Sequence, residues 1–460
     1  MIQRTSNVFA RPAFRKVHSR FQKYGLLTLL LLFMAGTVSA QNVQQLSLEE
    51  AIKLGTGNSN TIKLSQARIE EAVARYNQVK DNVLPTGSVS YTYNHAEIPT
   101  TTFKISDEAN PMYLPKRADA FLGTFTLQEV IFGGNRLKYA TESTSLLTQV
   151  ARLDAERDVE ELVYNITSAY FNLYKLQQSQ QVVAQNLQAI DRQIKQAQRF
   201  FEQGLATRND VLRFQLQRSN VELSGVDLET NRKVVVYNLN IMLGLSPETD
   251  LAVEKIETPG LLNVPVAAFV DTALANRPDI KALGLQTKVA DNQIKSIRAE
   301  KMPSVLASAS AYYINPSGAF VPPVNSYLAP VAAGVTVAWN FDQLWLNDNK
   351  VAEARIKKTE VEISRDAAMD LVKTEVNQSY QNYSKALERV RILETAIAQA
   401  TENDRMVESQ YQNTIASAIE RVDAETQLFE AQINLALAKA DADLAYYTLL
   451  KSTGTLTHNQ

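Results

Sequence analysis

The sequence predicts a mainly α-helical chain with a transmembrane β-barrel part. The expected fold is a duplicated unit of long coiled-coil helices with four β-strands per chain, and a trimer closes a twelve-strand barrel and a twelve-helix tube. Three observations lead there. Residues 51–94 align with 269–312, and 135–244 with 345–454, with no gap inside either block. Four segments of about ten residues alternate apolar with small or polar side chains, as tilted membrane strands do. The stretch 135–203 contains neither proline nor glycine, and at about 1.5 Å rise per residue it makes a helix roughly 100 Å long.

In chain order, the first element is a targeting segment. Arg4, Arg11, Arg15, Lys16, Arg20 and Lys23 precede an apolar run from Leu26 to Met34, which ends in the small residues Val38, Ser39 and Ala40. A basic region, a short apolar core and small residues at the end describe a secretory signal peptide over 1–40, cut after Ala40. The apolar run falls short of the roughly 20 residues a spanning helix needs. With no cysteine in the chain, an acyl anchor on a new N-terminal cysteine is excluded. A membrane, if reached, must be crossed by strands.

The two copies are expected to span 41–268 and 269–454, followed by a tail over 455–460. After Pro85, residues 86–94 alternate through Val89, Tyr91 and Tyr93, and 121–130 through Phe121, Phe125 and Leu127. The second copy offers 304–313, with Val305, Ala309 and Tyr313, and 332–340, with Val335, Val337 and Trp339. Because parity is shared, Val89, Tyr91, Tyr93, Phe125 and Leu127 are expected on one outward face. Four strands cannot close a barrel and lipid tolerates no open sheet edge, so several chains must share one barrel.

The helices come next. The first copy reads as a helix over 61–82, the long helix 135–203 and a helix over 208–243; the second has 347–412 and 418–450. Two shorter helices of about 33 and 54 Å nearly equal the long one, so each half forms two parallel columns. Ala424, Leu428, Ala431, Leu435, Ala438 and Ala442 follow the alternating spacing of a coiled-coil seam. A second seam runs through Val422, Thr426, Phe429, Ile433, Ala436 and Ala440. Two residues apart, the seams lie roughly 155° apart around the helix, close to the angle of about 150° that a ring of twelve asks for.

Composition narrows function. A formal charge of −2, from 47 basic and 49 acidic residues, exerts no pull toward nucleic acid. Zero cysteines and three histidines remove thiol nucleophiles, zinc clusters and most imidazole catalysis. No P-loop, G-x-S-x-G, G-x-G-x-x-G or H-E-x-x-H occurs. No enzyme, catalytic residue, metal site or cofactor is expected. The competing reading is a periplasmic coiled-coil scaffold, which requires solubility without detergent.

At this point the chain resembles the TolC family of outer-membrane efflux ducts, from about residue 46 to 454. The resemblance rests on Leu84-Pro85 with the Tyr91-Thr92-Tyr93 strand, Val130-Ile131-Phe132-Gly133-Gly134, Thr167-Ser168-Ala169-Tyr170-Phe171-Asn172, and Phe201-x-x-Gly204-Leu205 with Asp210-Val211. It implies a homotrimer whose barrel meets outer-membrane lipid and whose helical tube crosses the periplasm. It also implies an equatorial region from 46–57, 245–275 and the tail. The partners implied are a periplasmic adaptor (membrane fusion protein) and an inner-membrane pump, and the cargo stays undefined. The adaptor would meet the helix-turn-helix tips, here Gly204, Leu205, Ala206 and Thr207, and Thr414, Ile415, Ala416 and Ser417. The family's constricting acids fall on Glu420 and Asp423. Asp210 and Tyr411 match two members of its hydrogen-bonded latch. Ala416 stands at the latch arginine position, with Arg208 and Arg421 as nearby substitutes.

Overall fold

The computed structural model describes residues 44–97, 99, 102–104, 106–113, 116–256, 264–316 and 327–457. The signal-peptide reading over 1–40 lies outside them. The N-terminal half holds β1 (Gln44–Leu46), α1 (Leu48–Asn58), α2 (Asn60–Asp81), β2 (Thr86–Glu97), β3 (Thr102–Phe103), β4 (Met112–Tyr113), β5 (Arg117–Phe132), α3 (Arg136–Glu202) and α4 (Arg208–Leu243). There follow β6 (Leu251–Val253), α5 (Val266–Asn276), α6 (Pro278–Ala299), β7 (Ser304–Pro316), β8 (Val331–Ala338), α7 (Gln343–Gln412) and α8 (Ala418–Ser452).

The two long helices set the frame. α3 has 67 residues and α7 has 70. Packing contacts give four columns in the order α2 over α4, then α3, then α6 over α8, then α7. The stacked helices meet end to end through glycines in the left-handed region. Gly244, at φ 71, ends α4 against Asn58, whose Nδ2 donates to the Leu243 carbonyl at 2.9 Å. Gly454, at φ 67, abuts Arg277 at the other junction. A side chain is strained at such φ values, and at Gly244 an added Cβ would lie 2.7 Å from the Asn58 Cβ.

Hydrophobic cores surround these junctions. Around Tyr170 one gathers Leu46, Ile166, Leu239, Leu243 and Leu251. The Tyr170 hydroxyl donates to the Leu46 carbonyl at 3.0 Å and accepts from the Glu254 N–H at 3.0 Å. Burial pushes its pKa up to about 12. β1 and β6 pair in parallel beside it, a three-residue ladder that no period in the sequence announces. At the second junction Arg277 pairs with Asp279 at 2.8 Å and Glu375 at 2.7 Å and donates to the Ser452 carbonyl at 3.2 Å, tying α6, α7 and α8 together.

The strands form one antiparallel sheet in the order β2-β5-β7-β8, with β2 and β8 as its edges. Val89 sits opposite Phe125, Tyr91 opposite Gly123, and Tyr93 opposite Phe121, so the expected greasy face is shared in register. Within one chain that face is bare: Val89 and Val331 are each 79% exposed. The sheet is taller than expected. β5 begins at Arg117 instead of about 121, β2 runs on to Glu97 and β7 to Pro316, because the polar rim pairs as well, with Glu97 opposite Arg117. β8 stops at Ala338, since the Trp339 indole N–H turns to the Lys301 carbonyl at 3.0 Å, and α7 starts at 343, not 347. The loop between β2 and β5 carries an additional short pair, β3 with β4.

Two columns keep unpartnered apolar rows. On α4 these are Leu216, Leu223, Val226, Val234, Tyr237 and Ile241, and on α7 Ile356, Ile363, Leu371 and Ile392, all exposed. They lie on opposite flanks of the four-column slab. Among the described residues no helix is long and apolar enough to cross a membrane.

Candidate functional site

The end farthest from the sheet is where α3 turns into α4 and α7 into α8. Gly204 takes φ 74 after α3, and the N–H groups of Leu205 and Ala206 close back on the Phe200 carbonyl at 2.8 and 3.2 Å. The second turn has the same bonding, from Ile415 and Ala416 to the Gln410 carbonyl at 2.8 and 3.3 Å. Its left-handed residue is Thr414, at φ 60. A β-branched residue is strained there, and the Thr414 hydroxyl compensates by donating to the Asn413 carbonyl at 2.7 Å.

Both following helices open with a reciprocal cap. Asp210 accepts from the Thr207 N–H and hydroxyl, each at 2.8 Å, and Glu420 accepts from the Ser417 N–H at 2.7 Å and hydroxyl at 2.9 Å. Hydrogen bonding to Ser417 holds the Glu420 carboxyl below its ordinary value. Asp423, one turn on, is exposed. Leu205 and Ile415, at 59% and 77% exposure, form the apolar crowns of the two turns.

The hairpins are held together by Tyr411, whose ring packs between Phe200 and Phe214 with centroids 5.7 and 5.8 Å away. Ala197, Val211 and Ala418 complete this small core. Burial raises the Tyr411 pKa, and the charges of Asp210 and Glu408 add to the rise. Its hydroxyl is buried with no hydrogen-bond partner among the described residues. Asp210 and Tyr411 thus share the tip without a bond between them. Neither arginine named from the sequence reaches Asp210. Arg208 is exposed, and Arg421 is buried within its own hairpin, donating to Asp404 and Glu408.

That buried arginine heads a cluster that sequence reasoning missed. Arg421 is 4% exposed; burial pulls its pKa down, and Asp404 and Glu408 more than offset this. Glu425, one turn further along α8, is 3% exposed. Desolvation lifts its carboxyl to about 7, against opposing effects of Arg421 and a hydrogen bond from Gln193 of α3. A cavity of about 840 Å³ opens beside the cluster, lined by Arg192, Gln193 and Arg199 of α3 and by Asp404, Glu408 and Arg421. The signal was available: acids at 404 and 408 and a 421/425 pair straddle one turn, which brings them across the hairpin. Among the described residues no group of histidine, aspartate and glutamate side chains is placed to hold a metal ion.

The family described as outer membrane efflux protein matches residues 51–245 and 269–455. The outer membrane efflux protein BepC of Brucella suis is 22% identical over 435 residues, covering 93% of this chain and 90% of the relative. Among solved structures, the outer-membrane channel OprN aligns with a TM-score of 0.73 at 16% identity, covering 88% of this chain and 89% of its own. VceC of Vibrio cholerae aligns at 0.72 and 17% identity, covering 88% and 96%.

Proposed function

The chain belongs to the outer membrane efflux protein family and is an outer-membrane exit duct for efflux or secretion, and from that premise we propose how its parts serve the duct. Three copies join edge to edge, β8 of one sheet meeting β2 of the next, so that twelve strands enclose the membrane part. The bare rows on α4 and α7 meet across the same boundaries and close twelve helical columns into a tube. The observation that carries this reading is the four-stranded sheet with open edges and one uncovered greasy face, set at one end of columns roughly 100 Å long.

The remaining roles follow from position. The segment 1–40 is removed after Ala40, and 41–268 and 269–454 descend from one duplicated unit, which the repeated order of helices, strands and glycine junctions supports. The crowns at Gly204–Thr207 and Thr414–Ser417 meet a periplasmic adaptor, which links the duct to an inner-membrane pump. Glu420 and Asp423 form an acidic constriction, six carboxylates in three copies, that admits cations and resists narrowing through mutual repulsion. Native mass measurement in detergent tests the assembly. A trimer in the outer-membrane fraction is expected; a stable monomer, or a mature chain in the soluble periplasm, overturns it.

A further inference from the structure

The buried carboxyl of Glu425 has no counter-ion to itself. Arg421, four residues earlier on the same helix, directs its guanidinium to Asp404 and Glu408 of α7. What faces Glu425 from α3 is an amide: Gln193, 5% exposed, hydrogen-bonds to it. Two oxygens in this pair are left over, Glu425 Oε2 and Gln193 Oε1, both buried and without a partner among the described residues. Burying polar oxygens without partners is unfavourable, because each has given up its hydrogen bonds to water. One proton removes both deficits: on Glu425 Oε2 it donates to Gln193 Oε1, while the Gln193 amide N–H donates to the other carboxyl oxygen. A carboxylic acid and a primary amide then form a closed ring of two hydrogen bonds.

We propose that Glu425 and Gln193 form a proton-operated clasp between α8 and α3, closed when Glu425 is protonated and biased to part when it ionises and draws in water. The proposal rests on the duct reading and adds its regulation. Other charged groups around the clasp are already engaged or lie at its margin. Arg421 holds Asp404 and Glu408, Asp191 of α3 is paired with Arg218 of α4 at 2.8 Å, and Arg192, Lys195 and Arg199 line the adjoining cavity. From α4, Gln217 donates to Thr426, the residue beside Glu425, at 3.0 Å. Ser179 and Asn186, at seven-residue steps before Gln193 on α3, each carry a further buried oxygen without a partner among the described residues. Parting the seam hydrates these too.

The sign follows from linkage. The closed form holds its Glu425 proton up to about pH 7, and a hydrated, parted form only to the ordinary glutamate value of 4.5. Closure is therefore fully favoured below the lower value, loses its advantage as pH rises between the two, and has none left above about 7. The closed-to-parted ratio falls by up to about two orders of magnitude across that range.

The test uses the full trimer with a spin label on a cysteine at Asn413, in a chain that has no other cysteine. Label distances across the trimer are expected to lengthen, and planar-bilayer conductance to rise, as pH goes from about 5 to about 8. In Glu425→Gln, an amide pair replaces the acid pair at every pH; distances stay short and the pH response is lost. An unchanged pH response in that variant, or label distances in the wild type that do not change with pH while the channel conducts, overturns the clasp. Tips that move with pH in a protein that never conducts would instead overturn the duct reading. Infrared spectra of the unaltered protein give a check free of mutation. A protonated carboxyl band is expected to grow between about pH 8 and 6, where exposed acids stay ionised, and its absence overturns the proposal.

Discussion

The Tyr411 hydroxyl and the Asp210 carboxylate occupy the same tip without a hydrogen bond between them. Asp210 accepts from Thr207 instead, and Tyr411 ends in a buried oxygen without a partner among the described residues. Tyr411→Phe therefore removes an unsatisfied group and keeps the ring between Phe200 and Phe214. Thermal stability of the tips is expected to hold or rise by up to about 1 kcal/mol, whereas Tyr411→Ala costs about 3–5 kcal/mol. A clear loss in the phenylalanine variant, followed by amide exchange at the tips, would show that the hydroxyl is bonded after all.

Glu420→Gln with Asp423→Asn is expected to reduce cation selectivity and abolish block by divalent cations in planar-bilayer recordings. Glutamine still serves the cap on Ser417, and trimer assembly should change by less than about 0.5 kcal/mol per site. Because Glu420 is held below its ordinary value, its charge and its cap persist as pH falls through the usual glutamate range and are lost only beneath it. Unchanged selectivity would assign both acids to helix starting and move the constriction elsewhere.

Arg421→Met leaves Asp404 and Glu408, both half-buried, without their cation. A local cost of about 1–3 kcal/mol is expected, seen as faster proteolysis at the tip hairpin, and replacing all three residues by apolar ones should recover much of it. Equal protease resistance in the single variant and the wild type would show that the three charges are solvated in the trimer.

Gly244→Ala meets two penalties, the left-handed backbone and the contact with Asn58. Together they are expected to cost at least about 2 kcal/mol and to expose the amides around the α1–α4 junction to exchange. An alanine variant with wild-type exchange there would mean that the junction relaxes without penalty.

A cysteine at Ser90 should react with a water-soluble thiol reagent, and one at Tyr91 poorly, since the two alternate across the sheet and Tyr91 shares the face of Phe121 and Gly123. The reverse pattern would turn the strands inside out.

Much of the architecture was legible because its periods are long or clean. The expected helix over 135–203 and the observed Arg136–Glu202 differ by one residue at each end, since no breaker interrupts the run and Gly204 ends it. Alternation through Val89, Tyr91 and Tyr93 marked a strand, but its polar continuation to Glu97 carries no apolar signal and was missed. The β1–β6 ladder, three residues long, is too short for any period. At the tips, the family resemblance pointed to segments in which the chain does reverse, through Gly204 and Thr414. The burial of Arg421 and Glu425 was missed because charged residues on a helix read as its wet face, and only the packing of α7 against Arg421 and of α3 against Glu425 makes them interior.

The end-to-end stacking at Gly244 and Gly454 constrains how this molecule can change length. α2 and α4 must together run beside α3, as α6 and α8 run beside α7. A residue inserted in one long helix would rotate everything beyond it by about 100° and lift every apolar row out of register. Seven residues added to both long helices and to one member of each stacked pair restore the rows and lengthen the slab by about 10 Å. The reach of such a duct across a compartment can therefore be retuned only in whole heptads, introduced at the same height in all four columns.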